Sequence, residues 1–296
     1  MNSGGIWRMV LAMGLSGTIG LFVLMSGQSA LTVVFFRCLI GGAALLAWVS
    51  WQGAWHRLNA RALAWLILGA IALIVNWLCL FSAYPVNGIA IVTVVYHVQP
   101  FFLIVLAALL QRESIDLGKL PWMGLAFIGV AMSAGINFSD AQDKMLEGVL
   151  LALFAAFFYA VATLATRKLK HVPPAQIAGV QLLFGVVVLA PLADFSTLDL
   201  HWKTGSSLLI LGLVHTGLMY NLMYAAFQRL PANMIASLSF IYPLVAILVD
   251  LTFFGTVLSV VQMLGMALIL ITVVANQRAW NLNLVNPIKF LNWNKK

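Results

Sequence analysis

The stretch Leu66-Ile67-Leu68-Gly69 recurs later in the chain as Leu209-Ile210-Leu211-Gly212, at an offset of 143 residues. The same offset places Phe81-Ser82-Ala83-Tyr84 on Tyr224-Ala225-Ala226-Phe227. Self-similarity at one fixed offset is typical of a chain built from repeated structural units. The sequence therefore predicts two tandem copies of one structural unit.

Composition places the repeated unit in lipid rather than in water. Hydrophobic residues make up 63% of the 296 residues and charged residues only 8%, with a mean hydropathy of +1.02. A soluble domain carries roughly a quarter charged residues. Apolar runs of about 20 residues are long enough to cross a bilayer, and they do so as helices. The chain divides into ten such runs, at 6–25, 32–51, 62–83, 88–110, 119–137, 147–166, 175–193, 206–228, 232–254 and 258–276.

The number of spans in each copy predicts how the two copies lie in the membrane. Each copy contains five spans, an odd number, so the second copy enters the membrane from the opposite face. The predicted fold is an all-α membrane protein with ten transmembrane helices, arranged as two inverted five-helix repeats. We expect the first repeat over 1–139, the second over 140–276 and a cytoplasmic tail over 277–296. Such a repeat allows two related shapes, open to either side, around a shared midplane site.

The basic residues indicate orientation and cellular location. The net charge is +8, but Lys and Arg lie at the ends of apolar runs, which speaks against a nucleic-acid partner. With ten spans, all but three of the sixteen Lys and Arg residues fall on the side of both termini; the exceptions are Lys144, Lys203 and Arg37. The positive-inside rule then predicts a multi-pass protein of the bacterial inner (plasma) membrane with both termini cytoplasmic.

Enzyme and cofactor signatures are missing from the sequence. It has no His-Glu-x-x-His, phosphate-loop, Gly-x-Ser-x-Gly or Cys-x-x-Cys motif, and no pair of carboxylates within the predicted spans. Cys38 and Cys79 are far apart and have no metal-like spacing. We therefore expect neither catalysis, nor a metal, nor a cofactor.

Pro100 and Pro243 stand near the middle of predicted spans four and nine, and the offset of 143 places one on the other. A proline inside a helix removes one hydrogen bond and favours a kink, which frees the carbonyls of Tyr96 and Ser239. Paired interruptions in corresponding spans are a sequence indicator of a transporter's centre. We expect both prolines to act as hinges.

Polar residues cluster beside these prolines at mid-membrane depth. Tyr96, His97 and Gln99 precede Pro100, and Tyr242 precedes Pro243. Polar side chains within spans usually face the bundle interior or a wet cavity. We expect these four to line or adjoin a central cavity. The alternative is that they bond neighbouring helices and only hold the bundle together.

Spans three and eight carry a second polar and aromatic group. Span three contains Asn76 and Trp77, and span eight contains His215, Tyr220 and Asn221; the offset places Trp77 on Tyr220. Matched aromatic residues either clamp a planar or apolar substrate or fill the core. His97 and His215 change charge near neutral pH, which suits proton coupling, although a membrane histidine also serves simply as a hydrogen-bonding residue.

Arg37 and Asp250 are the charges that lie firmly inside predicted spans, near the outer ends of spans two and nine. Their similar depth permits a salt bridge, and we consider them a candidate outer gate pair. The alternative is that each side chain snorkels separately to the outer interface.

These features resemble the EamA-type family of the drug/metabolite transporter (DMT) superfamily. The resemblance covers about residues 5–276. Besides the ten short-looped spans, it rests on Arg37, on Tyr96-His97-Val98-Gln99-Pro100, on Phe240-Ile241-Tyr242-Pro243, and on the acidic segment Gln111-Arg112-Glu113 before span five. The second half departs from the family pattern, because its corresponding segment lacks the acid.

The resemblance implies a central cavity lined by helices one, three, four, six, eight and nine of the ten. Carried over to this chain, it adds Tyr159 of span six to the candidates. The expected substrate-binding set is Asn76, Trp77, Tyr96, His97, Gln99, Tyr159, His215, Tyr220, Asn221 and Tyr242.

The expected function is secondary transport. We expect export of a small metabolite, such as an amino acid or derivative, by alternating access, with the lipid bilayer and a proton or other coupling ion as partners. A cavity rich in tyrosines and amides suits a zwitterion or neutral molecule. Two alternatives remain from other classes: a membrane-embedded enzyme acting on a lipid-linked substrate, and a structural partner in a membrane complex.

Overall fold

The computed structural model describes residues 3–111, 118, 120–133, 143–193, 195–196, 198, 201–254 and 259–277. The secondary-structure elements among these residues are all helical. Apart from Gln277, the predicted cytoplasmic tail lies outside the described residues.

The first half of the chain contains seven α-helices within the described residues. A π-helical segment, Arg37–Gly41, joins the third helix to the fourth. The helices are α1 (Ser3–Gly17), α2 (Ile19–Ser26), α3 (Ala30–Phe36), α4 (Gly42–Trp51), α5 (Ala60–Tyr96), α6 (Gln99–Gln111) and α7 (Leu120–Ser133).

The second half contains seven more within the described residues, and again one π-helical segment, Leu213–Leu218, joins two of them. The helices are α8 (Asp143–Lys168), α9 (Pro174–Leu189), α10 (Trp202–Gly212), α11 (Met219–Phe227), α12 (Ala232–Ser239), α13 (Ile241–Phe254) and α14 (Val260–Gln277).

The helix ends follow from local sequence chemistry. The Ser29 hydroxyl accepts a hydrogen bond from the backbone N–H of Thr32 and caps α3. The Asn59 side chain does the same for Ala62 at the start of α5. Pro174 opens α9, where its missing N–H costs least. Gly27, with φ of +64°, ends α2 in the left-handed conformation that glycine adopts without strain.

Apolar helices lie at each of the ten predicted spans. Five stretches are long and apolar enough to cross a membrane, by length and composition: 3–26, 30–51, 60–86, 146–168 and 202–227. Shorter apolar helices occupy the other five predicted spans, at 99–110, 120–132, 174–189, 232–246 and 263–272. The described part of the chain is therefore that of a multi-pass membrane protein.

The predicted break between spans three and four is a bend within one helix rather than a loop. The backbone of α5 stays helical past Pro85 to Tyr96. The amide Nδ2 of Asn76 nevertheless donates to the hydroxyl of Tyr96 at 3.2 Å. A straight helix would separate residues 20 positions apart by about 30 Å. The chain must therefore fold back sharply between them, and Pro85 lies in that interval.

Helix packing brings the two halves together. Long α5 packs against α8, and α1 packs against α11; α6 also packs against α8, and α1 against α13. In addition, α4 lies against α9, α6 against α12 and α7 against α14. Close crossings use glycine: a Cβ built on Gly17 would lie 2.6 Å from Cβ of Val245, so α1 and α13 meet nearly backbone to backbone.

Candidate functional site

A cavity lies where helices of both halves meet. It encloses about 570 Å³ of empty space, counting its open mouth. Helices α1 and α2, the π-helical segment Arg37–Gly41, α5, α6, α8 and α11 to α13 all contribute side chains to its wall. Among the described residues, no group of three His, Cys, Asp or Glu side chains is placed to hold a metal ion.

Most of the predicted binding residues come together in this cavity. Predicted residues up to 166 positions apart in the chain share its wall, because α5 folds back at its bend and packs against α8. That they bind substrate stays a prediction. The predicted residues in the lining are Asn76, Trp77, Tyr96, His97, Gln99, Tyr159, Tyr220 and Tyr242.

The structure leaves His215 and Asn221 outside the lining. On α11 the cavity face is formed by Met219, Tyr220 and Met223. Asn221 points about 100° away from Tyr220 on the same helix. His215 lies in the π-helical segment, where the extra residue per turn changes the phase of the helix face.

His215 instead bonds to the first span. Its Nε2 lies 2.6 Å from the hydroxyl of Thr18, and its Nδ1 lies 3.3 Å from the carbonyl of Ile210. The Thr18 hydroxyl itself donates to the carbonyl of Leu15 at 2.8 Å. Thr18 marks the break between α1 and α2, so His215 ties span eight to the bend in span one.

Arg37 enters the cavity wall, although the sequence indicated only a gate or an interfacial side chain. It is 1% exposed, so the interpretation that Arg37 snorkels to the interface was wrong. Its Nε donates to the Thr216 hydroxyl at 3.0 Å, and its Nη2 donates to the carbonyl of His215 at 3.1 Å. The side chain of Asp250 lies outside the described residues, so the gate pair stays a prediction.

Aromatic side chains and amides tie the wall together. The indole Nε1 of Trp77 donates to the hydroxyl of Tyr220 at 2.9 Å, and the two rings meet edge to face with centroids 5.3 Å apart. The side-chain amide of Asn76 donates hydrogen bonds to the Tyr96 hydroxyl and, at 2.7 Å, to the carbonyl of Ala155 in α8. The wall is therefore held by bonds that cross between helices.

The two predicted hinge prolines follow interruptions in their helices. Spans four and nine are each broken just before the proline, at His97–Val98 and at Phe240, so that α6 begins at Gln99 and α13 at Ile241. Pro100 and Pro243 occupy the first turns of the new helices, where a missing N–H is tolerated. The paired breaks match the offset between the two halves; that they move in transport stays a prediction.

His97 joins the two breaks across the halves. Its ring stacks on Tyr242 with centroids 5.1 Å apart and an angle of 10°, and it lies 5.9 Å from the ring of Phe240. Its Nδ1 lies 2.6 Å from the carbonyl of Thr93, and the imidazole also interacts with the backbone of Ser239. Pro243 leaves that Ser239 carbonyl without a helical donor.

Several lining residues were absent from the predicted set. On α5, Leu80, Phe81 and Tyr84 follow Trp77 at three, four and seven positions, the spacing of one helix face. Helical periodicity measured from Trp77 would have identified them. Met13, Ser16, Ile19 and Ser239 carry no such signal, because their side chains are small or ordinary core types.

A cavity between two halves of a helical bundle, lined by aromatic side chains and a few polar groups, is an arrangement found in membrane transport proteins. A model of the EamA-like transporter family matches residues 3–135 and again residues 146–276. The chain belongs to the EamA-like transporter family, within the DMT superfamily.

Named relatives agree with this family. The chain is similar to the "Uncharacterized transporter YxxF" of Bacillus subtilis, with 28% identity over 90% of this chain and 88% of that protein. It is also similar to the "Uncharacterized transporter YwfM" of the same organism, with 31% identity over 86% of this chain and 87% of that protein. A Salmonella typhimurium protein named "Probable amino-acid metabolite efflux pump" is 27% identical over 60% of this chain and 64% of its own length.

A solved crystal structure has the same fold. It covers 94% of this chain and 98% of its own chain, with a TM-score of 0.81 and 18% sequence identity. Structural similarity at this low sequence identity establishes a shared fold and nothing more.

Proposed function

We propose that the protein is a secondary transporter that exports a small metabolite, such as an amino acid or derivative, by alternating access across the bacterial inner membrane. The observation that carries this proposal is the cavity, whose wall draws Asn76, Trp77 and Tyr96 from one half and Tyr159, Tyr220 and Tyr242 from the other. A site at the seam of two halves is where rocking of one half against the other changes access.

The proposal includes ten spans in two inverted repeats, with the halves at 1–139 and 140–276, the tail at 277–296 and both termini in the cytoplasm. Reciprocal packing supports it. Under the repeat, span three corresponds to span eight and span six to span one. The packing of α5 on α8 then has its counterpart in α11 on α1, and that of α6 on α8 in α13 on α1.

Movement is assigned to spans four and nine. Each is already divided before its proline, at His97–Val98 and at Phe240. Bending at these points changes the direction of α6 and α13 where helical hydrogen bonding is already incomplete, because Pro100 and Pro243 supply no N–H to the carbonyls of Tyr96 and Ser239. The aromatic and polar residues at the breaks would then open or close the cavity.

A proton is the proposed coupling ion, with His97 as the titrating group. A neutral imidazole donates one hydrogen bond, whereas an imidazolium donates from both nitrogens. The ring of His97 faces acceptors on two sides, the carbonyl of Thr93 and the backbone of Ser239. Protonation would therefore favour the shape in which the breaks of spans four and nine are joined, and deprotonation would release them.

Proteoliposome flux tests the proposed function. Vesicles loaded with a labelled amino-acid mixture are expected to release a subset of it under an imposed proton gradient. Gln99→Leu, which changes a buried lining residue, is expected to reduce release, whereas Gln52→Leu on an exposed helix end is expected to leave release unchanged. Product formation by the protein in detergent, with no flux across vesicles, would instead identify a membrane-embedded enzyme.

A further inference from the structure

Arg37 carries an unused hydrogen-bond donor inside the cavity. Two of its three guanidinium nitrogens are engaged, Nε by Thr216 and Nη2 by the His215 carbonyl. The third, Nη1, is buried and has no hydrogen-bond partner. Arg37 belongs to the cavity wall, so a residue that an entering solute meets carries an unpaired donor.

Neutral aromatic groups surround the charged guanidinium of Arg37. The guanidinium carbon lies 4.0 Å from the ring centroid of Trp77 and 5.5 Å from that of Phe81, so both aromatic faces attract the cation. Among side chains that the structure describes, the one carboxylate is that of Glu147, which is exposed. A buried charge that meets no counter-charge among the described side chains is costly in a membrane, and residues of this kind are candidates for function.

The guanidinium is also fixed in place. Thr216 donates to the carbonyl of Leu211 at 2.7 Å while it accepts from Arg37. The two π-helical segments cross closely, since a Cβ built on Gly41 would lie 2.5 Å from Cγ2 of Thr216 and 2.8 Å from the carbonyl of Gly212. A donor held in one orientation binds an anion with little further ordering.

The cavity wall also holds a free acceptor. The side-chain Oε1 of Gln99 is buried and has no hydrogen-bond partner. It stands beside His97 in the wall, together with the aromatic rings of Tyr96 and Tyr242. A carbonyl oxygen and aromatic faces suit an ammonium group. Two residues of the cavity wall, Arg37 and Gln99, therefore carry a cationic donor and a neutral acceptor that each lack a partner.

We propose that Arg37 is the anchor for a substrate carboxylate. The substrate class is a small α-amino acid-like zwitterion, whose carboxylate accepts a charge-assisted hydrogen bond from Nη1 of Arg37 and whose ammonium faces Oε1 of Gln99. This assignment rests on the proposed transport function and names its substrate class. It gives Arg37 a binding role in the cavity in addition to its position near the outer end of span two.

The test compares acids with their amides. L-leucine, L-threonine and L-phenylalanine, and the matching α-amides, are titrated onto the purified full-length protein at mildly acidic pH, where all the amines are protonated. The wild type is expected to bind at least one acid about tenfold to a hundredfold more tightly than its amide. In Arg37→Gln this ratio is expected to fall to about one. Arg37→Lys keeps the charge without the planar fork and is expected to give an intermediate ratio.

Arg57→Gln is the matched control, because Arg57 is exposed between α4 and α5, and it is expected to keep the wild-type ratio. The assignment is overturned if the wild type binds amides as tightly as acids, if it binds no acid, or if Arg37→Gln keeps the ratio. If Arg37→Gln does not fold, Arg37→Lys decides the matter, since a wild-type ratio in that variant would also overturn the assignment. Flux of a solute without a carboxylate would overturn this assignment and leave transport standing, whereas absence of any flux would overturn the transport function itself.

Discussion

Trp77 donates a 2.9 Å hydrogen bond to Tyr220, and the two residues occupy equivalent positions in the two halves of the chain, 143 residues apart. Two residues related by a twofold axis touch each other only if they lie near that axis. Under the proposed inverted repeat, this bond places the pseudo-twofold axis beside the cavity, between span three and span eight. A ligand in the cavity would lie close to the same axis.

The Trp77–Tyr220 bond is expected to contribute to stability as a pair. Tyr220→Phe leaves the buried indole N–H unpaired and is expected to cost about 1–3 kcal/mol. Trp77→Phe is expected to cost at least as much, but the double variant is expected to lose less than the sum of the two. Thermal unfolding in detergent measures the three losses.

Trp202→Phe is the control for this cycle, since Trp202 is 80% exposed. It is expected to leave the unfolding temperature unchanged. Strict additivity of the Trp77 and Tyr220 variants would show that the two side chains do not interact, contrary to the structure.

The inverted repeat predicts opposite sides for equivalent residues. Ala60 and Lys203 are both exposed at the starts of spans three and eight, and they are equivalent at the offset of 143. In a variant with both native cysteines replaced by alanine, Lys203→Cys is expected to react with a membrane-impermeant maleimide on intact cells. Ala60→Cys is expected to react only after the cells are opened.

Lys170→Cys serves as the control for the cytoplasmic side, because Lys170 is exposed between α8 and α9. It is expected to behave as Ala60→Cys does. Labelling of both Ala60→Cys and Lys203→Cys from outside would place them in one compartment, and the inverted arrangement would then be wrong.

The positions of the helices could be predicted because apolar runs of span length have few other structures open to them in lipid. The two π-helical segments could not. Neither Arg37–Gly41 nor Leu213–Leu218 has a sequence signature of its own. The two segments pack directly against each other. The bend in α5 could not be predicted either, since the break expected between spans three and four is taken up within one helix, Ala60–Tyr96, that includes Pro85.

The sequence predicted how deep in the membrane the site residues lie, but not which way each side chain faces. Polarity identified Asn76, Gln99 and Tyr242 as residues at the level of the cavity, and they line it. Rotation about the helix axis decides whether a residue faces inward, and polarity carries no information on it. Asn221 lies off the lining for this reason, and Arg37 enters it although its depth alone was compatible with an outer gate.

The paired prolines are expected to control transport rate more than substrate affinity. Pro100→Ala and Pro243→Ala supply an N–H that lets spans four and nine continue as straighter helices. We expect maximal flux to fall several-fold in each variant, while substrate binding in detergent changes little. Pro174→Ala, at the start of α9, is the control and is expected to keep wild-type flux. Equal loss of binding and flux would show that the prolines shape the site rather than act as hinges.

His97 is expected to be required for proton-driven flux. Gln in place of His97 can still donate to the Thr93 carbonyl, but its amide takes up no proton, so the hydrogen bonds it donates do not change with pH. His97→Gln is therefore expected to abolish acceleration of flux by an imposed pH gradient, while exchange of substrate between two equal pools persists. His201→Gln is the matched control, since His201 is exposed before α10, and it is expected to respond to the gradient as the wild type does. Undiminished gradient-driven flux in His97→Gln would remove His97 from the coupling mechanism and leave His215, bonded to Thr18 at the bend of span one, as the next residue to test.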